Sequence, residues 1–457
     1  MFTVIYIENK FSGKNIADEL QNIIDGFSDE GGTIVFKKGR YVSSTVFLKS
    51  NVHIVFEDGA VVLGSENFDD YAPDEKVDYP LYQDASHSFF DCSLFVAKDC
   101  ENVSITGNGV IDMRSVWDEK NVRDMAHRGA KCIAFKNCRN VVLSDFSVKN
   151  CTDLAVYFAG CENIEISRLS LRVYIDGISP DNSKNVRIKD CKVESGDDGI
   201  VFKSSYTLNR PDYCKDITVE NCRIKSRCNA IKFGTETNGG FFGITVRNCY
   251  ISDTRISGIA VESVDGAIVD GLTFSGIKMR NVGTPFFVHL GERLRGPKGS
   301  KTGSVKNVRF ENITATGPYK PYRIIEWNYD SFLRKDTLQI PQIFGKAESF
   351  DGSERTEQWQ ITSNVCGLKG HNLKNISFSN INLKLYGAVD DFSETVPEKA
   401  QDYPEVYVYG RILPAKGVFF RHVEDLYLDN FKITTYNKDT RPDFVFCDVT
   451  FSAKESL

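Results

Sequence analysis

The sequence predicts an all-β fold: a single-stranded right-handed parallel β-helix, or solenoid, with an N-terminal capping helix and inserted loops. Three observations predict it. A small or polar residue, often within Cys-x-Asn, repeatedly precedes an alternating apolar run. The best copies recur at a nearly constant interval. Cysteines take equivalent places in successive copies.

The pattern is clearest at Cys100-Glu101-Asn102-Val103-Ser104-Ile105 and returns at Cys138-Arg139-Asn140-Val141-Val142-Leu143. It returns again at Cys161-Glu162-Asn163-Ile164-Glu165-Ile166 and at Ser183-Lys184-Asn185-Val186-Arg187-Ile188. Looser copies begin near Asp216, Gly243, Asn307 and Asn375. Asn140 to Asn163 is 23 residues and Asn163 to Asn185 is 22. Short runs of period 2 are strands, not helices. Strands punctuated at such a repeat build a solenoid, in which each coil buries its apolar side only against its neighbours. The 38 residues from Asn102 to Asn140 make a coil with an inserted loop.

Among the 13 cysteines, Cys100, Cys138 and Cys161 hold one position of the repeat, and Cys191, Cys222 and Cys249 hold another. No CxxC pair or Cys/His metal spacing occurs. Stacked thiols therefore read as small packing groups, which suit a reducing compartment.

At the start, Ile16-Ala17-Asp18-Glu19-Leu20-Gln21-Asn22-Ile23-Ile24 has helical spacing and would cover the open end of the solenoid. Gly31-Gly32-Thr33-Ile34-Val35-Phe36 reads as the first strand. The period breaks over 320–365, which is rich in aromatics (Tyr322, Trp327, Tyr329, Phe332, Trp359). All of 1–457 is thus read as one β-helix domain. Residues 1–60 form the cap and first coils, 320–365 an irregular insertion, and 366–457 the C-terminal coils.

Bulk charge excludes some partners. A net charge of −6, from 56 basic and 62 acidic residues, speaks against nucleic acid. No apolar stretch approaches the ~20 residues of a membrane span, so no membrane partner is expected. The opening MFTVIYIENKFSGKN has no signal-peptide pattern. A cytoplasmic location is expected, or a secreted one if a leader has been removed. Oligomeric state is not legible.

The chemistry concentrates in Tyr174-Ile175-Asp176-Gly177-Ile178 and Glu194-Ser195-Gly196-Asp197-Asp198-Gly199-Ile200. Asp176 precedes Asp197 by 21 residues, one coil. Stacking would set it about one strand spacing, ~4.8 Å, from the Asp197–Asp198 pair. Carboxylates so close push at least one pKa upward. An acid beside ionised bases is what glycoside hydrolysis requires. A single Asp-Gly is usually a turn, but here the coil repeat brings three acids together.

Several motifs are similar to those of glycoside hydrolase family 28, the polygalacturonase family. They are Gly31–Phe36 with Gly39-Arg40-Tyr41, Gly107-Asn108-Gly109-Val110-Ile111-Asp112, and above all Asp176, Gly196-Asp197-Asp198 and Lys203-Ser204. The resemblance runs from about residue 14 to about 290. It implies that Asp176, Asp197 and Asp198 are catalytic. Asp197 would protonate the leaving oxygen. Asp176 and Asp198 would position and deprotonate water, with inversion at the anomeric carbon. The resemblance implies no cofactor, and this carboxylate chemistry needs no metal.

The chain also departs from that family. Tyr174-Ile175-Asp176 stands where the family has Asn-Thr-Asp, and Asn229 stands in place of a histidine. Ala260 and Glu262 replace the Arg and Lys that grip a uronate carboxylate. A glutamate repels such a group. Either the sugar there is neutral, or Lys232, Arg255 or Arg293 supplies the charge. Lys203, Lys232 and Glu262, on successive coils, read as an ion-pair ladder beside the acids or as solvated charges. Tyr174, Lys203, Asn229, Lys232, Glu236, Glu262, His289 and Arg293 are the substrate-binding candidates. Tyr157 and Tyr174 offer either sugar stacking or packing; Glu236 and His289 each have a plain structural alternative.

The resulting expectation is an inverting glycosidase acting on a pectin-like or related oligosaccharide or polysaccharide. The inserted loops and missing leader suggest exo action. Two alternatives remain open: a polysaccharide lyase or epimerase, and a non-catalytic carbohydrate-binding β-helix.

Overall fold

The computed structural model describes residues 3–8, 13–83, 85–116, 128–317, 360–387, 392, 394–410 and 412–452. Most of the 320–365 insertion, with its five aromatics, lies outside them.

Within the described residues the strands join into one parallel sheet in which each strand pairs with its equivalent one coil away. Three ladders result, the faces of a parallel β-helix. One stacks Glu101–Gly107, Arg139–Ser144, Glu162–Ser167 and Lys184–Lys189. A second stacks Val110–Asp112, Ser147–Lys149, Ser170–Val173 and Lys192–Ser195. The third stacks Lys131–Lys136, Val156–Ala159, Ile178–Asp181, Ile200–Ser204, Ile231–Thr237 and the second half of Tyr250–Ser263.

Alternation divides each strand of the third ladder between two environments. Ile133, Val156, Ile178, Ile200, Ile231 and Ile259 point into the continuous apolar core. Ala134, Tyr157, Ser179, Val201, Lys232 and Ala260 stand in register on the other side. That outer column carries the site.

The asparagines of the repeat have a conformational reason. Asn102, Asn140, Asn163 and Asn185 sit at φ between 53° and 59°, a left-handed turn that asparagine tolerates better than most residues. Their amides form a ladder: Asn140 Nδ2 donates to Asn102 Oδ1 at 3.1 Å, and Asn163 to Asn140 at 3.1 Å. The cysteines pack as expected. All thirteen are free thiols and only Cys447 is exposed.

The helix Ala17–Asp25 buries Ala17, Leu20 and Ile24 against the first coils. Gln21 ties it to the strand Val46–Leu48 through bonds to the backbone of Phe47. One strand precedes the expected first one: Thr3–Ile7 pairs with Gly32–Phe36. Its outer residues are largely exposed, and it has no punctuating turn residue to mark it in the sequence.

Candidate active site

Asp176 and Asp198 lie two residues before Ile178 and Ile200, which pair across adjacent coils. The glycines around them let the backbones meet. A Cβ on Gly196 would lie 2.1 Å from the Tyr174 carbonyl oxygen, and one on Gly177 2.5 Å from that of Gly199. The acids are tied coil to coil, with Asp198 N donating to Asp176 Oδ1 at 3.1 Å. One carboxyl oxygen from each of Asp176, Asp197 and Asp198 lies within 4.8 Å of the others.

The three differ in surroundings. Asp176 and Asp198 are buried, whereas the Asp197 side chain keeps 20% of its surface exposed. Asp198 Oδ1 accepts from Asn229 N at 3.0 Å and Asn229 Nδ2 at 2.9 Å, while its Oδ2 faces Lys232 Nζ at 3.4 Å. Asp176 Oδ2 faces Lys203 Nζ at 3.6 Å. Asp197 Oδ2 has Arg128 Nη1 at 3.9 Å. Burial lifts the Asp176 carboxyl to about 8, with Asp197 and Asp198 adding to the rise and Lys203 opposing it. Burial and the adjacent Asp198 also raise Asp197, against the pull of Arg128.

The two lysines form buried networks. Lys203 bridges Asp176 and Glu236, the latter at 3.2 Å. Lys232 meets Asp198, Glu262 at 3.7 Å and Glu405 at 3.1 Å. Burial works against both ammonium charges, yet their carboxylate neighbours hold both above the usual lysine range. The carboxylates divide. Burial opposes the charge of Glu236, but Lys203 keeps it well below the ordinary range. Burial pushes Glu262 well above it despite Lys232. The ladder expected of Lys203, Lys232 and Glu262 is therefore a buried one, not a solvated face.

The remaining sequence candidates fall around this centre. Arg293 is paired with Asp265 (Nε to Oδ1, 3.0 Å) and donates to Thr235 O at 2.7 Å. His289 is fully buried, with Nδ1 2.7 Å from the Tyr409 hydroxyl and its ring stacked on Phe287. Burial lowers its pKa to about 3, with Arg421 adding to the shift. Tyr174 is 6% exposed and accepts from Ser115 Oγ at 3.1 Å. Tyr157 is fully buried against Phe90 and donates to Asp181 Oδ2 at 3.0 Å, so the packing alternative describes it. Arg255 lies near Cys228 and Tyr407.

Sequence reasoning missed Arg128 and Glu405. Arg128 belongs to no motif. Glu405 meets Lys232 across 173 residues of chain, a separation that no local pattern reports.

Residues 81–324 match the model of glycosyl hydrolases family 28. The chain belongs to that family. An endo-polygalacturonase of Pectobacterium carotovorum subsp. carotovorum is 23% identical over 249 residues, 49% of this chain and 59% of its own length. The chain spans about half the length of the first curated relatives it matches. Among solved structures, the family 28 exopolygalacturonase of Yersinia enterocolitica superposes with a TM-score of 0.65 at 17% identity, covering 98% of this chain and 78% of its own. The exopolygalacturonase of Thermotoga maritima gives 0.62 at 18% identity, covering 81% and 84%. These likenesses establish the fold of this family 28 member. No helix of the described residues is long and apolar enough to cross a membrane.

Proposed function

We propose that this family 28 protein is a glycoside hydrolase. It would cleave pectin-like or related oligosaccharides by an inverting mechanism using Asp176, Asp197 and Asp198. The observation that carries the reading is the convergence of three carboxyl groups within 4.8 Å on two coils, one of them raised to about 8 by burial. Such a set holds a proton at neutral pH while keeping acceptor oxygens beside it.

Asp197, the most exposed of the three, is the proposed acid. Its proton passes to the glycosidic oxygen as the bond to the anomeric carbon breaks. A water positioned by Asp176 and Asp198 attacks that carbon and gives up its proton to Asp198, while Asp176, kept protonated by burial, holds the water in place. Lys203, Lys232 and Asn229 are positioning groups for these two carboxylates. Tyr174, Glu236, Glu262, His289 and Arg293 remain proposed members of the substrate-binding surroundings. His289 would act through Tyr409.

The finer parts of the reading belong to the same proposal. The coil is right-handed, the helix Ala17–Asp25 caps it, and 1–457 is one domain. Exo action is part of the proposal, supported by two inserted segments near the site: Glu405 of 394–410 reaches Lys232, and Arg295, 4.0 Å from Glu236, donates to the Tyr82 carbonyl at 2.7 Å. The twelve buried free thiols favour a reducing, cytoplasmic location; finding disulfides in protein isolated under non-reducing conditions would count against it. The lyase alternative needs a cation for a uronate carboxylate, and it is disfavoured by the pairing of Lys203, Lys232 and Arg293, which leaves Arg255 as its candidate.

The deciding experiment compares wild type with Asp197→Asn for reducing-sugar release from polygalacturonate, rhamnogalacturonan oligosaccharides and neutral glycans. Release by wild type alone, reduced about 10²–10⁴-fold in the variant, is expected. Equal release by both, or none by either, overturns the assignment.

A further inference from the structure

Segment 394–410 lies across the site and is pinned along its length. Arg421 Nη1 donates to Val396 O at 2.7 Å and Glu292 N to Ala400 O at 2.5 Å. Asn364 Nδ2 donates to Val406 O at 3.1 Å, and Tyr409 meets His289 at 2.7 Å. Few of these contacts involve the catalytic coils, so the segment keeps its place independently of the aspartates.

Two of its side chains reach the site. Glu405 Oε1 lies 3.1 Å from Lys232 Nζ, whose other partners are Asp198 and Glu262. The Glu405 side chain is only 10% exposed, and its second oxygen, Oε2, has no hydrogen-bond partner among the described residues. Tyr403, two residues earlier, leaves 57% of its surface in solvent. Its hydroxyl lies near Thr235, and its ring centroid is 5.9 Å from the Arg293 guanidinium carbon.

An open aromatic ring beside a buried, unused acceptor matches the two sides of a pyranose: an apolar C–H face and a hydroxyl edge. Charge decides which pyranose fits. Lys232 is shared by three carboxyl groups and Lys203 by two. Arg293 is committed to Asp265 and Arg128 faces Asp197. A uronate carboxylate entering here would lose its water beside Glu405 and find Lys203, Lys232 and Arg293, among the described residues, already paired.

We propose that Tyr403 and Glu405 form a sugar subsite beside the three aspartates that selects a neutral sugar over a uronate. Tyr403 stacks on the ring. Glu405 accepts a sugar hydroxyl through Oε2 and keeps Lys232 engaged, so that Lys232 does not serve a substrate carboxylate. This deepens the hydrolase reading and rests on it for cleavage, but not for binding.

The test is titration calorimetry on full-length Asp197→Asn, alone and combined with Tyr403→Ala or Glu405→Gln. The ligands are trigalacturonate, its carboxyl-reduced neutral counterpart, and arabino-, galacto- and xylo-oligosaccharides. At least one neutral ligand should bind tenfold or more tighter than trigalacturonate. Tyr403→Ala should weaken it tenfold or more, and Glu405→Gln should narrow the preference. Tyr403 is exposed and Glu→Gln is nearly isosteric, so melting temperatures should stay close to that of the parent. The proposal is overturned if trigalacturonate binds as tightly as every neutral ligand, if no neutral ligand binds, or if neither substitution changes binding. A binding preference that survives while wild type releases no product from the preferred ligand would overturn the hydrolase reading and leave the subsite standing.

Discussion

Lys232 Nζ sits 3.4 Å from Asp198 Oδ2 and 3.1 Å from Glu405 Oε1, joining a proposed catalytic carboxylate to a residue 173 positions later in the chain. Glu262 completes the shell at 3.7 Å. Removing a buried cation strands its partners, and breaking such a network typically costs about 3–5 kcal/mol.

Lys232→Met should therefore do two kinds of damage. Three carboxyl groups would face one another unscreened, lowering stability by a few kcal/mol by the same reasoning. Asp198 would lose the charge that orients it, and kcat should fall about 10²-fold or more. Adding Glu405→Gln and Glu262→Gln to Lys232→Met should recover stability but not turnover. Denaturant midpoints and kcat for the single and triple variants check this. A single variant with unchanged stability would show that the network is not coupled to folding.

The raised Asp176 carboxyl makes stability depend on pH with a definite sign. Its ordinary value is 3.8, and in the folded protein it is about 8. The folded state thus binds the proton more tightly than the unfolded chain. This contribution is fully present below pH 3.8 and is lost progressively as pH rises through about 8. Asp176→Asn cannot titrate, so its stability relative to wild type should improve steadily between about pH 5 and pH 8. Urea midpoints across that range measure the difference. Parallel pH dependence in the two proteins would place the proton elsewhere in the cluster.

His289 carries the opposite expectation. With its pKa near 3 it is neutral at any working pH, so it should add no inflection near pH 6 to an activity profile. Its visible task is to hold Tyr409 and, through it, the segment that bears Glu405. His289→Phe keeps a ring against Phe287 but drops the bond to Tyr409. It should raise KM several-fold, leave the pH profile unmoved, and speed proteolysis within 394–410. A shifted pH optimum would instead make His289 a titrating member of the site.

What the sequence disclosed follows from how solenoids store information. The strand ladders, the asparagine turns and the thiol stacks are local patterns repeated at a fixed interval, so Cys138-Arg139-Asn140 and Cys161-Glu162-Asn163 announce each other. The acid cluster was legible for the same reason: one coil of spacing between Asp176 and Asp197 becomes one strand of distance. Lys203, Lys232 and Asn229 inherited their legibility from the same register. Glu405 and Tyr403 did not, because they arrive on a segment outside the repeat. Their place depends on anchors such as His289–Tyr409 that have no sequence signature. His289 stands out by its residue type, but its partner Tyr409 lies 120 residues away in the chain.

Stereochemistry is where resemblance and geometry part. The resemblance implies inversion, with water between sugar and base. Inverting pairs usually stand about 6.5–9.5 Å apart to leave room for that water, and retaining pairs about 5–5.5 Å. Here one oxygen from each of the three aspartates lies within 4.8 Å of the others, closer than that inverting spacing of whole carboxyl groups. Inversion still follows when the water held jointly by Asp176 and Asp198 reaches the anomeric carbon on the face opposite the glycosidic oxygen that Asp197 protonates. Asp197 then faces the leaving oxygen from its exposed edge. Proton NMR of the first-formed product settles the matter before mutarotation does. The expected signal is the anomer opposite to that of the substrate linkage. The retained anomer, with a glycosyl adduct on one aspartate trapped by a fluorosugar, would make that aspartate a nucleophile and overturn the water-holding role proposed for it.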